Sequence, residues 1–545
     1  MGLMLAALLG STPALAAENN WDSYIAAQLS PNRVVAKTPM GTVDRHARDI
    51  TMTLVQARKH WNELSPETRT LARNWMARPD TTGDNLGSLG VLDMTGSVVI
   101  TTDTAHFRIH YVDCGAHPGD AHCARASYIN TVKTALENVY TEEITTLGYT
   151  APPSDAGVDG GDDGGNGLYD VYVAEIGTMG IYGYASPDGP DATVMPSHLV
   201  IDNDYSGFGY SDPTVPMKVT AAHEYFHSVQ FGYDAGENSA FMENSSTWIE
   251  TQVYPSIHDN YQYLGEPYKD ENGDGHYDVG ELFTDRNGNH KRDEGSLDFP
   301  EASLDNFDNP SLIQYGRWLW PQHLTEEYGA GMMKNIWDLC AATAGENHLT
   351  AMNTALAGSG GLASVYQNYA IKGYDTLQYA DGANYPRVWV DGVANGKANL
   401  SSSTTYSLRG PQGHLSTVYQ RINNPSGNYT FTTAGGTPVL SIIEVGSDCA
   451  VIGDSAVPIA VGTGHWSPGA GTSFAIAVIS NVSRTANNMT WSLTGGTASN
   501  ASVPACGIAV KNGIREDSGG GGGGGALDLL ALSIAGLLYA RRRLA

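Results

Sequence analysis

Apolar residues are distributed along this chain in patterns that change several times. Leu3 to Leu9 is an unbroken apolar run, followed by Pro13 and the small-x-small triplet Ala14-Leu15-Ala16. That layout is a secretory signal over residues 1–17, with cleavage expected after Ala16 or Ala17. Residues 18–95 are polar, but "DRHARDITMTLVQARKHW" and "SPETRTLARNWMARP" carry apolar positions at helical spacing. A helical N-terminal region or propeptide is expected there. In "SVVITTDTAHFRIHYV" the pattern turns to strands, "YINTVKTALENVYTEEITTLGY" is an amphipathic helix, and "GLYDVYVAEI" is a further strand. Strands followed by helices predict an α+β domain over residues 96–384. The stretch "SDAGVDGGDDGGNG" reads as a solvated turn.

From about Tyr385 the texture becomes short alternating runs such as "GNYTFTTAGGTPVLSIIEV", "TSFAIAVISNV" and "MTWSLTG", separated by turn residues. These predict an all-β sandwich domain over residues 385–512. A Gly-rich linker, 513–525, and an apolar segment with a basic tail, 526–545, follow.

Composition narrows the function. The chain has 545 residues and a net charge of −28, with 58 acidic groups against 30 basic ones. Such a surface repels nucleic acid and anionic membranes and suits a soluble exported protein that takes up cations. All five cysteines fall after the signal. Cys114 and Cys123 flank a short loop that a bridge can close, Cys449 and Cys506 are a candidate pair, and Cys340 is left over.

The chemistry centres on "KVTAAHEYFHSVQFGYD", Lys218 to Asp234. Val219, Ala222, Phe226 and Val229 recur at helical spacing, with Pro216 able to open the helix and Gly232 to close it. Residues four apart share a helix face, so His223 and His227 can grip one Zn2+ while Glu224 is directed at a metal-activated water as general base. A catalytic zinc takes a third protein ligand. Glu243 is expected to supply it from "AFMENSSTWIETQVYP", a helix that starts near Asn238 and ends before Pro255. Glu250 on the same face is the main rival and otherwise an outer-shell partner, and Asp234 is a weaker rival.

HEYFH with a glutamate on a downstream helix resembles the gluzincin branch of zinc metallopeptidases. "ENSSTW" is similar to the stretch that carries their third ligand, with Trp248 as its aromatic and Asn244 and Ser246 as departures. More narrowly, "FRIHYV", "DVYVAEIG", "VIDNDY" and "TAAHEYFHSVQFGYD" in this order resemble a myxobacterial-type family of metalloproteases, over roughly Phe107 to Leu339. The resemblance implies a zincin-like metallopeptidase fold, a peptide or protein substrate, and an oxyanion donor for which Tyr315 is a candidate by placement.

A second metal signal lies in "DENGDGHYDVGE". Asp270, Asn272, Asp274, His276 (through its carbonyl), Asp278 and Glu281 occupy the ligand positions of an EF-hand-type loop, with Gly275 at the sharp turn. A weaker copy offers Asp285, Asn287, Asn289 and Asp293, but has His290 for the glycine and Ser296 for the glutamate. Structural Ca2+ is expected within an insertion over residues 265–298.

At the C-terminus, seven glycines (Gly519 to Gly525), the apolar "ALDLLALSIAGLLYA" and Arg541 to Arg543 resemble the GlyGly-CTERM sorting signal. That resemblance implies transient inner-membrane insertion, processing by a rhombosortase-type protease, and a secreted or cell-surface destination in a Gram-negative bacterium. The expectation is a secreted or surface-attached zinc endopeptidase. The alternative is a non-catalytic surface adhesin that keeps the zincin fold, for which Glu224 has no evident use.

Overall fold

The computed structural model describes residues 21–30, 49–80, 92–156, 164–188, 192–268, 277–285, 290–307, 312–386, 406–407, 411–457, 459 and 462–498. The expected signal, Gly-rich linker and C-terminal segment lie outside these. By its contacts the chain divides into two units, Met1–Val510 and Lys511–Ala545, and everything described belongs to the first.

A mixed sheet organises the N-terminal half. Its strands are β1 (Val99–Asp103), β2 (Phe107–Asp113), β3 (Cys123–Ala124), β4 (Tyr169–Ala174), β5 (Gly183–Pro187) and β6 (Ser197–Asp202), in the order β1-β2-β4-β6-β5 with β3 beside β2. β2, β4 and β6 run parallel, while β1 and β5 close the two ends antiparallel. Side chains alternate between faces along a strand. Val171, Val173, Leu199 and Ile201 therefore enter one core, and Tyr172, Ala174 and Val200 enter another.

The first core is covered by α4 (Ala126–Tyr140), which runs on into a π-helical turn at Thr141–Thr146, and by α5 (Thr214–Asp234) and α6 (Ser239–Val253). The second is covered by α1 (Trp21–Leu29), α2 (Thr51–Lys59) and α3 (Pro66–Met76), through Ile25, Leu54 and Trp75 among others. Ser65 caps α3, its hydroxyl accepting from Thr68 N at 3.2 Å, and Pro66 takes the first turn, where its missing N–H is harmless. The N-terminal helices thus form one face of the sheet's packing and are not a separate body.

The stretch read as a solvated turn after Pro153 is not wholly so. Asp155 joins Asp170 and Asp188 around the buried Arg78 guanidinium, because burying a cation demands partners. Cys114 and Cys123 are bridged, Cys340 is free and buried, and Cys449 is disulfide-bonded, while Cys506 lies outside the described residues.

Helices α7 (Ile313–Gly316), α8 (Leu319–Tyr328), α9 (Gly331–Cys340), α10 (His348–Ala355) and α11 (Gly361–Gly373) complete the helical part. The C-terminal part is all β: β7 (Tyr406–Ser407), β8 (Ser416–Asn423), β9 (Ser426–Ala434), β10 (Pro438–Val445), β11 (Val451–Val457), β12 (Thr463–Trp466), β13 (Phe474–Asn481) and β14 (Thr490–Thr497). They form antiparallel sheets ordered β11-β10-β13-β8 and β12-β9-β14-β7. Ala475, Ala477 and Ile479 of β13 face the core shared by the two sheets, while Phe474, Ile476 and Val478 face α11 residues Ala370 and Ile371. Covered on both faces, β13 is apolar from Phe474 to Ile479. Among the described residues no helix is long and apolar enough to cross a membrane.

Candidate metal centre

α5 carries His223, Glu224 and His227 and is buried over nearly its whole length. It begins at Thr214, so Pro216 sits within the first turn, and it runs to Asp234, so Gly232 does not close it. Gly232 lies inside the helix because it packs on Pro153, where an added Cβ would lie 3.2 Å from the proline ring. Phe226, fully buried, contributes about 1.5–3 kcal/mol to this packing. α6 begins as expected, with Asn238 Oδ1 accepting from Phe241 N at 3.0 Å, and brings Glu243 and Glu250 against α5.

The ligating atoms of Asp49, His223, His227 and Glu243 all lie within 4.8 Å of one another, a group able to hold a metal ion. His223 Nε2 is 3.1 Å from His227 Nε2 and 3.1 Å from Glu243 Oε2, and His227 Nε2 is 3.5 Å from that same oxygen. Asp49 Oδ2 lies 3.9 Å from His223 Nε2. No local pattern marks Asp49 in the sequence. It stands just before α2, where its Oδ1 accepts from Thr51 N at 3.0 Å and its Oδ2 is left to face the histidines.

The outer contacts fix the imidazole tautomers. His223 Nδ1 is 2.9 Å from Glu250 Oε1, an acceptor, so that nitrogen carries the proton. Gln230 Nε2 lies 2.9 Å from the Met242 carbonyl and near the hydroxyls of Ser245 and Ser246, which identifies it as the amide nitrogen. Gln230 Oε1 is then the acceptor 2.8 Å from His227 Nδ1–H. With each Nδ1 engaged outward, both Nε2 atoms face one Glu243 carboxylate oxygen, a donor set that suits a cation.

Glu250 therefore stands behind His223 and not in the cluster. Asp234 is also elsewhere, its carboxylate accepting from Gly236 N and Gly345 N at 2.8 and 2.7 Å. Tyr315 is brought in: its hydroxyl donates to Asp49 Oδ2 at 2.8 Å and lies 3.4 Å from Glu243 Oε1. Burial and these two carboxylates push its pKa well above the ordinary value, so it stays a donor. Gly316 allows this placement, since a Cβ there would lie 2.1 Å from the Tyr263 carbonyl oxygen.

Glu224 points to the edge strand. Its Oε2 accepts from Thr51 Oγ1 at 2.9 Å and from Ala185 N at 3.1 Å, and its Oε1 has no hydrogen-bond partner. The approach is close because Gly183 has no side chain: a Cβ there would be 2.6 Å from Thr220 Cγ2 and 3.4 Å from Glu224 Cγ. Burial, then the charge of Asp49, push the Glu224 carboxyl well above the usual range, and a cation among the ligands opposes that shift.

Of the expected calcium ligands, Asp270, Asn272, Asp274, His276, Asn287 and Asn289 lie outside the described residues. Asp278 N donates to Glu281 Oε2 at 2.9 Å, and Asp285 Oδ2 accepts from His290 N at 2.9 Å. Asp293 pairs with Glu266 through backbone and side chain, which helps close the base of the insertion.

No protein-family model matches the chain, and no curated protein matches it in sequence.

Proposed function

We propose that this protein is an exported zinc-dependent endopeptidase of zincin-like fold. The observation that carries the reading is the convergence of the two imidazole lone pairs and the Glu243 carboxylate, with Glu224 beside them on the same helix. A tetrahedral ion with bonds of about 2.0–2.1 Å holds its ligands roughly 3.3–3.4 Å apart. The observed separations of 3.1 to 3.5 Å fit that size.

In this reading His223, His227 and Glu243 hold the zinc. When bound, it acts as a Lewis acid that polarises the scissile carbonyl and lowers the pKa of water from ~15.7 toward about 7. Glu224 moves the proton. Its Oε2 is tied by two donors, so Oε1 accepts the proton of the attacking water and passes it to the leaving amine as the C–N bond breaks. Tyr315 O–H is aimed into the site and donates to the oxygen that gains negative charge. Glu250 and Gln230 hold the two rings with Nδ1–H turned outward and Nε2 turned to the metal position. Calcium in the 265–298 insertion, signal-directed export and rhombosortase-type processing of the C-terminal segment belong to the same reading and rest on the sequence.

The test is zinc content together with casein hydrolysis. The chain should hold one zinc per molecule, His227→Ala should lose it, and Glu224→Ala should keep it while losing hydrolysis. A zinc-loaded chain whose casein cleavage is indifferent to Glu224 would remove the peptidase reading and leave the adhesin.

A further inference from the structure

The segment around α2 touches each part of the catalytic arrangement. Asp49, whose side chain is only 2% exposed, brings a fourth ligating atom to the metal group and takes the Tyr315 hydroxyl. Thr51, fully buried, donates to Glu224 Oε2 and accepts from Ala185 N at 2.9 Å. Arg58 Nη2 donates to Pro187 O at 3.3 Å. Ala185 and Pro187 belong to β5, the edge strand beside Glu224, where an extended peptide can add as a further strand. Those edge groups are satisfied by side chains of the chain's own N-terminal segment.

We propose that this segment is a built-in inhibitor: the Asp49 carboxylate closes the metal position that catalysis needs open, and Thr51 and Arg58 cover the edge of β5 where substrate would lie. The inference rests on the peptidase reading and adds how it is regulated. A catalytic zinc keeps one position for water or substrate, and four protein ligands leave none. A carboxylate at that position also takes the tyrosine donor otherwise available to the oxyanion. The chain with Asp49 in place turns over slowly, only while Asp49 is displaced, and full activity requires Asp49 to leave. Helices α1 to α3 hold it there through the core they share with the sheet, and Arg78, buried against Asp155, Asp170 and Asp188, ties the end of α3 to β4.

The test uses the full chain loaded with Co2+, whose visible spectrum reports the ligands, and acetohydroxamate, a small chelator that needs an open metal position. Asp49→Ala is compared with Asp49→Asn, which keeps the volume and the hydrogen bond to Thr51 N. Both variants should change their spectrum on adding acetohydroxamate while wild type does not, and casein hydrolysis by the zinc forms should rise by roughly tenfold or more. A wild-type spectrum that responds as strongly as those of the variants overturns the latch. If the variants open to acetohydroxamate but none of the chains cleaves casein, the latch stands and the peptidase reading fails. If wild type binds the chelator and cleaves as fast as the variants in a Glu224-dependent way, the latch fails and the peptidase stands.

Discussion

Nδ1 of His223 lies 2.9 Å from Oε1 of Glu250, so the glutamate about two turns beyond Glu243 acts on the metal group through an imidazole. Removing its charge makes His223 a poorer donor. Glu250→Gln is expected to weaken zinc binding by about 10- to 100-fold while leaving the stoichiometry at one. Competition against a chromogenic chelator measures it.

Gln230 serves His227 in the same way, but as a neutral group that also binds the Met242 carbonyl and the Ser245 and Ser246 hydroxyls. Gln230→Leu strands these buried groups. Urea denaturation should show a loss of about 1–3 kcal/mol, and zinc affinity should fall as the His227 tautomer is freed.

The Arg78 guanidinium, its side chain 5% exposed, bonds the Asp155, Asp170 and Asp188 carboxylates, and His110 and His198 meet Asp170 and Asp188 from other sides. Replacing one partner of a buried ionic group leaves the others uncompensated. Arg78→Met should cost about 3–5 kcal/mol in denaturant unfolding. Because Arg78 ties the inhibitory segment to the sheet, the same variant should hydrolyse casein faster than wild type under native conditions.

His348 on α10 sits between Glu237 Oε1 at 3.0 Å and Asp305 Oδ2 at 3.1 Å, and Asp305 is shared with His414 of the strand region. Burial favours the neutral ring, but the two carboxylates outweigh it and raise the pKa to about 9. A raised pKa contributes stability that is full below the unfolded value, about 6.5, and is lost as pH climbs through the folded value. Thermal stability should therefore decline between pH 6.5 and about 9, by on the order of 3 kcal/mol from this group. His348→Gln should flatten that part of the profile.

The sequence was readable where the information is local. Val219, Ala222, Phe226 and Val229 mark α5 because one helix face recurs every three to four residues, and the alternation in "TSFAIAVISNV" marks β13 because pleating sends neighbours to opposite cores. Helix phase puts Glu243 and Glu250 on one face of α6 and does not choose between them. Gly232 misled because a glycine chosen for close packing on Pro153 looks the same in sequence as one that ends a helix. Asp49 and Arg78 could not be read: each meets its partners only after the N-terminal helices dock on the sheet, and a lone aspartate before a helix is ordinary. Tyr315 was reached only through a family resemblance, since the chain between it and α6 carries no spacing rule.

The most direct test compares casein hydrolysis by zinc-loaded Asp49→Ala with that of the double variant Asp49→Ala/Glu224→Ala, with zinc measured on both. The account predicts one zinc in each and a rate lower by about 10²–10⁴-fold in the double variant, the usual contribution of a general base. Equal rates with zinc bound in both would contradict it.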